Sequence, residues 1–170
     1  MRAARLLAAA LAVLLGMVAC GDLSARPPGG TAAAAAVPAS LSFTGRTLDG
    51  TPFDAATLVG KPTVLWFWAP WCATCAGQAD QINELKDEFG DRLAIVGIAG
   101  LGDNDAMREF VTDLDVGTVP NLDDRPGELW RRFGVTEQST FVLIDRHGTV
   151  VETRWLDRID LAARVRSLVA

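Results

Sequence analysis

Cysteine is scarce, with three residues in 170. That is too few for a disulfide-stapled scaffold, so each cysteine needs its own explanation. Basic charge is in the minority: 16 Lys and Arg stand against 21 Asp and Glu, for a formal net charge of −5. An acidic chain gains nothing from counterion release on a phosphate backbone, so no nucleic-acid partner is expected. Neither a GxGxxG nor a P-loop occurs, and no nucleotide cofactor is expected. There is one histidine, His147, and no internal repeat. The longest apolar run, Leu6 to Ala19, falls short of the ~20 residues of a comfortable membrane span. With 49% hydrophobic and 22% charged residues, the chain is not disordered, collagen-like or a polytopic membrane protein. One globular domain of ordinary size is the default.

What is present begins with an address. Arg2 and Arg5 precede the Leu6–Ala19 run, and a basic start before a short apolar stretch reads as a secretory signal. The end of the run sets its kind. An ordinary signal peptidase wants small residues at −1 and −3; Ala19 is small and Met17 is not. The string Met17-Val18-Ala19-Cys20, followed by Gly21-Asp22, resembles a bacterial lipobox. That resemblance implies lipidation of the Cys20 sulfur, Cys20 as the new N-terminus, and tight membrane attachment through more than one acyl chain. The alternatives are a plain secreted protein with Cys20 unpaired, or an uncleaved anchor. Residues 1–19 are thus the expected signal and 20–39 the lipidated cysteine and a flexible tether. The tether holds Pro27-Pro28-Gly29-Gly30 and the short run Ala32 to Ala36. The folded domain is expected over 40–170.

Within that domain, Thr63-Val64-Leu65-Trp66-Phe67 reads as a strand buried on both faces. From about Cys72 the period becomes helical, with Ile82, Leu85 and Phe89 on one stripe and Gly90 as a stop. Leu93 to Ile98 is a second buried strand. Asp105 to about Leu114 is a second helix, with Met107, Phe110, Val111 and Leu114 on one face and Asp103 or Asn104 as cap. The class of the segment near Pro120-Asn121-Leu122 stays open. Pro126 to Phe133 is a short helix ended by Gly134. Thr140 to Ile144 and Val150 to Trp155 are strands joined by the turn Asp145-Arg146-His147-Gly148. Asp157 to Val169 is a last helix with Ile159, Leu161, Val165 and Leu168 apolar. A small hairpin around Leu41–Phe53 precedes them all. Early strands alternate with helices and later ones pair antiparallel, so the expected class is α/β, a mixed central sheet with helices on both faces.

Trp71-Cys72-Ala73-Thr74-Cys75 sits where the buried strand hands over to a helix. Two intervening residues at a helix start let the sulfurs close a small ring, with the first facing solvent and the second turned inward. The helix N-terminus offers unsatisfied N–H groups and about half a positive charge, which stabilises a thiolate on Cys72. Thiols so placed have pKa values of ~3.5 to ~7.5 against ~8.5 for a free one, and a stabilised thiolate makes the disulfide a stronger oxidant. Cys72 is the expected attacking sulfur and Cys75 the resolving one. Three other readings compete. Half of a zinc site lacks ligands, with only Cys20 and His147 left. A structural disulfide would close too small a loop to stabilise much. A vestigial pair on a binding domain is the third. His147 itself is expected to be a solvated turn residue, and Asp80, Glu84, Asp87 and Glu88 a solvated helix face.

With strand, Trp71, CxxC and helix in place, the chain resembles thioredoxin-like disulfide oxidoreductases from about Leu41 to Ala170. The specific core is Lys61-Pro62-Thr63-Val64-Leu65-Trp66-Phe67-Trp68-Ala69-Pro70-Trp71-Cys72. Thr140 to Asp145 with Gly148 is similar to the exported, membrane-associated TlpA/DsbE branch. Val96-Gly97-Ile98-Ala99, Asn121-Leu122 and Gly127-Glu128-Leu129-Trp130 look most like actinobacterial secreted DsbE/DsbF-type proteins. The resemblance implies a thioredoxin fold and disulfide making or exchange in exported, cysteine-containing proteins. It also implies a substrate-facing surface built from Trp71, Ala73, Thr74, Gln138, Ser139 and Thr140, and a membrane redox partner that resets the dithiol. The redox-active Cys72–Cys75 disulfide is then the only cofactor expected, with no metal.

The departures from that family are specific. Trp66 stands where thioredoxin has a buried aspartate. Gln78 stands where the TlpA branch often has glutamate, and Asp80 where a helix-kinking proline is common. Ser139 replaces the cis-proline that normally precedes the Thr140-Phe141 strand and faces the CxxC. A cis bond before a non-proline costs ~2.5–4 kcal/mol, so Gln138-Ser139 is expected to be trans or the loop locally strained. Thr136 to Thr140 should still lie beside Cys72. Loss of the proline is expected to reduce steric protection of the thiols and make metal capture more plausible; the alternative is a neutral replacement with a rearranged loop. The expected activity is that of an extracytoplasmic, membrane-tethered thiol-disulfide oxidoreductase, in the oxidising or the reducing direction. The alternative is a thioredoxin-fold lipoprotein that binds Cu(I) or a partner through Cys72 and Cys75 without turnover.

Overall fold

The structure, a computed structural model, describes residues Ala36–Ala170. The expected signal, Cys20 and most of the expected tether lie outside the described residues. The domain opens with a small antiparallel hairpin, β1 (Thr44–Arg46) and β2 (Pro52–Asp54). Its centre is β3 (Thr63–Trp68), in which all six residues are buried. This is the continuous apolar strand that a sheet covered on both faces requires. β3 runs into α1 (Ala73–Phe89), which leads to β4 (Ala94–Ala99), α2 (Asn104–Asp113), β5 (Asn121–Asp123) and α3 (Glu128–Arg132). An antiparallel pair, β6 (Thr140–Ile144) and β7 (Val150–Trp155), and a last helix, α4 (Arg158–Val169), complete it. The segment around Pro120 that the sequence leaves open is a strand.

The sheet order is β5-β4-β3-β6-β7. β4 is parallel to β3, and β5 to β4; β6 is antiparallel to β3, and β7 to β6. Alternation along the strands divides the core in two. Val64, Trp66, Trp68, Ile95, Ala99, Phe141 and Leu143 face the side covered by α1, α2 and α4. Leu65, Phe67, Val96, Ile98, Val142 and Ile144 face the N-terminal segment and α3. Helices therefore lie on both faces, in an α/β mixed sheet as expected. Burying each large side chain of this kind contributes about 1.5–3 kcal/mol. Trp68 stacks on Phe110 of α2 with ring centroids 4.4 Å apart, and Trp66 stacks on Trp68 at 5.7 Å. The aromatics thus fix the end of β3 that leads to the cysteines.

The apolar residues of α4 divide between core and surface. Ile159 lies outside the core stripe and is 80% exposed. It lies two residues before Leu161, about 200° around the helix, whereas Leu161 and Val165 share a face and are fully buried. The acidic face of α1 is exposed at Asp80, Glu84, Asp87 and Glu88, as expected, and two of these carboxylates also pair with α4. Glu84 pairs with Arg158, and Glu88 takes two hydrogen bonds from Arg166 at 2.9 and 3.0 Å. The Arg166 guanidinium holds the Glu88 carboxyl below its ordinary pKa. Exposed pairs of this kind add little stability, but they tie α4 to the helix that carries the cysteines. His147 sits exposed in the β6–β7 turn, as expected.

Asp124 is a buried carboxylate that the fold uses structurally. It accepts N–H bonds from Glu128, Leu129 and Trp130 at 2.8, 2.9 and 3.0 Å, and so closes the start of α3. Burial raises its pKa and outweighs the three donors that act the other way.

Candidate functional site

The cysteines occupy the turn between β3 and α1. Cys72 is the N-cap of α1, with extended φ and ψ of −88° and 107°. Its Sγ accepts the Cys75 backbone N–H at 3.0 Å, which satisfies one of the donors a helix start leaves open. Cys72 and Cys75 form a disulfide with Cα atoms 5.2 Å apart, inside the ordinary range for such bonds. Cys75 has no exposed surface and Cys72 retains 6%. The expected order of exposure holds, but Cys72 does not stand open to solvent. It faces only a groove between α1 and α2, walled by Trp71, Ala73, Ala76, Ala106 and Phe110. α1 then runs unbroken over 17 residues, with Asp80 in place of the helix-kinking proline.

The groove is bordered by an apolar step. Trp71 is 62% exposed and Leu101 53%. The two are joined by a hydrogen bond from Trp71 Nε1 to the Leu101 carbonyl at 2.7 Å. The loop holding Leu101 lies hard against the cysteine turn: a Cβ on Gly102 would fall 2.4 Å from Cγ of Pro70. Sequence reasoning missed Leu101, Gly102 and the α2 wall. The available signal was the Gly100-Leu101-Gly102 pattern at the carboxyl end of a buried strand, where open α/β sheets place their ligand sites.

Ser139 closes the other side. Its Oγ lies 3.1 Å from Cys72 Sγ and 3.1 Å from Cys75 Sγ. The Gln78 Nε2 amide donates to the Ser139 carbonyl at 3.1 Å, and Trp66 Nε1 donates to Gln78 Oε1 at 2.8 Å. Three of the four departures noted in the sequence, Trp66, Gln78 and Ser139, are therefore one connected set, buried at 0, 3 and 5% exposure. The strain expected in this loop falls on Ser139 itself, at φ +66°. Proline holds φ near −65°, so the residue usual in the family does not fit this backbone. Leu101 also has a positive φ, +57°. Two of the three non-glycine residues in that region among those described thus flank the cysteines. Such conformations cost about 1–3 kcal/mol each and persist where surroundings over-determine them.

One expectation about Ser139 is overturned. The sulfurs do not lose cover with the proline, because the serine hydroxyl packs directly on both. The remaining residues of the expected substrate surface divide between two faces. Trp71 and Ala73 border the groove with Cys72. Thr74, Gln138, Ser139 and Thr140 line a second depression that reaches Thr153, Arg154 and Trp155 of β7. Thr140 is largely buried, its hydroxyl donating to the Glu137 carbonyl at 2.9 Å.

A mixed five-stranded sheet whose central strand delivers a CxxC disulfide to the start of a helix defines a thioredoxin-fold protein of the dithiol class. Comparison with known proteins gives the family. The chain belongs to the AhpC/TSA family, whose model matches residues 35–153. It is 37% identical over 144 residues to the soluble secreted antigen MPT53 of Mycobacterium tuberculosis, covering 82% of each chain. The structure of MTB dsbF in its mixed oxidized and reduced forms superposes with a TM-score of 0.73 at 42% identity, over 78% of this chain and 98% of that one. A secreted Mycobacterium tuberculosis disulfide oxidoreductase homologous to E. coli DsbE gives 0.68 at 38% identity, over 76% and 98%. With the Cys72–Cys75 pair in place, this chain is a protein-disulfide oxidoreductase of the DsbE/DsbF type.

Proposed function

We propose that the protein oxidises exported, cysteine-containing proteins outside the cytoplasm while held to the membrane through a lipid on Cys20. In this reading a substrate thiolate attacks Cys72, and Cys75 leaves. The substrate's second thiolate then attacks its own first sulfur and releases Cys72. Trp71 and Leu101 offer an apolar landing surface for the substrate backbone and side chains next to the reacting sulfur. A membrane redox partner restores the disulfide.

The observation that carries this reading is the asymmetry of the pair. Cys72 opens onto the groove and caps the helix, whereas Cys75 is sealed beneath it. The helix N-terminus favours negative charge on Cys72. Neutral Trp66 and Gln78 fill the space where a buried carboxylate would oppose that charge. Stabilising the dithiol state makes the disulfide an oxidant. The signal-like start of the chain and the secreted character stated for MPT53 and for the DsbE homologue support the location.

Trapping tests the activity. In a Cys75→Ser variant the Cys72 thiolate attacks disulfides already present in exported proteins, the reverse of the exchange. With no Cys75 to resolve them, a ladder of mixed disulfides through Cys72 is expected in intact cells, seen on non-reducing gels. A variant that stays a bare monomer would point instead to a Cu(I)- or partner-binding lipoprotein. The reduction potential in a glutathione titration is expected nearer about −120 mV than about −270 mV. For the tether, Cys20→Ala is expected to move the protein from the membrane fraction to the soluble one; unchanged fractionation would remove the anchor from the account.

A further inference from the structure

A hydroxyl in contact with both sulfurs of a reactive disulfide has chemistry of its own. Ser139 Oγ is equidistant from Cys72 Sγ and Cys75 Sγ, at 3.1 Å. Ser139 is 5% exposed, so water does not compete freely for the hydroxyl. Its position is fixed through a chain of two buried hydrogen bonds. The Gln78 amide holds the Ser139 carbonyl, and Trp66 in turn holds Gln78. A backbone at φ +66° is a conformation that side-chain-bearing residues rarely adopt. Here it points the Cβ and hydroxyl at the sulfurs.

We infer that the Ser139 hydroxyl is a catalytic hydrogen-bond donor that stabilises whichever sulfur bears negative charge during exchange. The assignment rests on the proposed dithiol exchange and deepens it. In the oxidising direction, a substrate thiolate forms a bond to Cys72 Sγ as the Cys72–Cys75 bond breaks. The electron pair leaves on Cys75 Sγ, to which Ser139 Oγ–H donates. The substrate's second thiolate then forms the substrate disulfide, and the pair leaves on Cys72 Sγ. The substrate loses two electrons and two protons. The protein gains the two electrons; one proton ends on Cys75 and the other passes to solvent. The hydroxyl then rotates to donate to the Cys72 thiolate, already bonded by the Cys75 N–H at 3.0 Å. Its free lone pair accepts the Cys75 S–H. One rotor therefore serves both leaving groups without moving the backbone. Charge-assisted bonds are about twice as strong as neutral ones, so this bond favours the reduced state over the disulfide, whose sulfurs are neutral.

Two variants test the assignment, Ser139→Ala and Ser139→Gly. Both remove the hydroxyl. Alanine keeps the unfavourable backbone angle and glycine relieves it, so a purely structural role would separate them. The measurements are the equilibrium with reduced and oxidised glutathione and the pH titration of Cys72 thiolate absorbance on the purified protein. Both variants are expected to favour the disulfide about tenfold more than the native protein, a shift of about −30 mV for a two-electron couple. The Cys72 titration is expected to move up by about one pH unit. Unchanged equilibrium and titration in both variants would overturn the inference. So would a change confined to one of them, because it would assign the effect to the backbone. These readings do not depend on a protein substrate. Failure of the Cys75→Ser trap would therefore remove the proposed function without imitating failure of the Ser139 assignment.

Discussion

Cys72→Ser is expected to lower the rate of disulfide exchange with protein thiols by at least about a thousandfold, since without Cys72 no disulfide forms and the substrate thiolate has no sulfur to attack. The variant is also expected to form no mixed disulfide through the cysteine that remains. The second expectation is the sharper one. Cys75 keeps its sulfur in Cys72→Ser, and an accessible thiol next to a helix start would react in its own right. Here Cys75 has no exposed surface. It lies in the same cluster as Ala79, Ile82 and Trp66, with Ser139 on the remaining side. Reaching it requires passage through the position of Cys72. The reciprocal variant, Cys75→Ser, leaves the groove-facing sulfur in place: its thiolate attacks a substrate disulfide, one substrate sulfur leaves as thiolate, and the mixed disulfide persists for want of Cys75. Stopped-flow exchange of the oxidised native protein and of Cys72→Ser with a reduced, unfolded test protein reads the rate, and non-reducing gels of each reduced variant with a disulfide-bonded test protein read the crosslinks. A Cys72→Ser variant that still crosslinked through Cys75 would mean that α1 or the Ser139 loop opens widely, and the asymmetry of the pair would no longer assign the roles.

Much of this site was legible because its information is local. A run of buried β-branched and aromatic residues, a Trp-Cys-Xaa-Xaa-Cys and a helical stripe follow one another within Thr63–Phe89, and each sets its own structure from its own residues. The identity of Trp66, Gln78 and Ser139 as departures was legible as well. Their connection was not, because it depends on sheet register. β6 pairs antiparallel with β3, with Thr140 opposite Phe67. Ser139 therefore arrives at the end of β3, beside the cysteine turn 67 residues earlier in the chain. No local pattern encodes that pairing, and removal of a proline reads in sequence as a loss of cover. In three dimensions the serine supplies cover and a donor. The α2 wall was illegible for the same reason. The amphipathic stripe of Asn104–Asp113 announces a helix, while its placement across from Cys72 follows from Trp68 stacking on Phe110.

That aromatic placement depends on a residue with no side chain, and Gly97→Ala is expected to destabilise the domain by about 3 kcal/mol or more. Gly97 lies opposite Trp66 on β3 and Asn121 on β5. The Asn121 side chain crosses the space a Cβ on Gly97 would fill: that atom would fall 2.1 Å from Asn121 Oδ1 and 2.8 Å from Trp68 Nε1. Neither neighbour is a free end that swings aside. Asn121 Nδ2 donates to the Val116 and Val119 carbonyls at 3.0 Å each, and Asn121 Oδ1 accepts from Trp68 Nε1 at 3.1 Å. Displacing the amide strands several buried polar groups, at about 1–3 kcal/mol apiece, in a domain whose total stability is of the order of 5–15 kcal/mol. The thermal unfolding midpoint is expected to fall by about 10 °C or more. The damage reaches the chemistry, because Trp68 ends β3 and the Cys72 N–H bonds to the adjacent Ala69 carbonyl at 3.2 Å. Gly77→Ala is the control. Gly77 lies on the exposed side of α1, and a Cβ added there would meet no atom within 4 Å. Alanine at that position is expected to raise stability by about 0.5–1 kcal/mol. If Gly97→Ala unfolded at the same temperature as the native protein, the Asn121–Trp68 bond would not be what holds the end of β3, and the alignment of the cysteine turn would need another support.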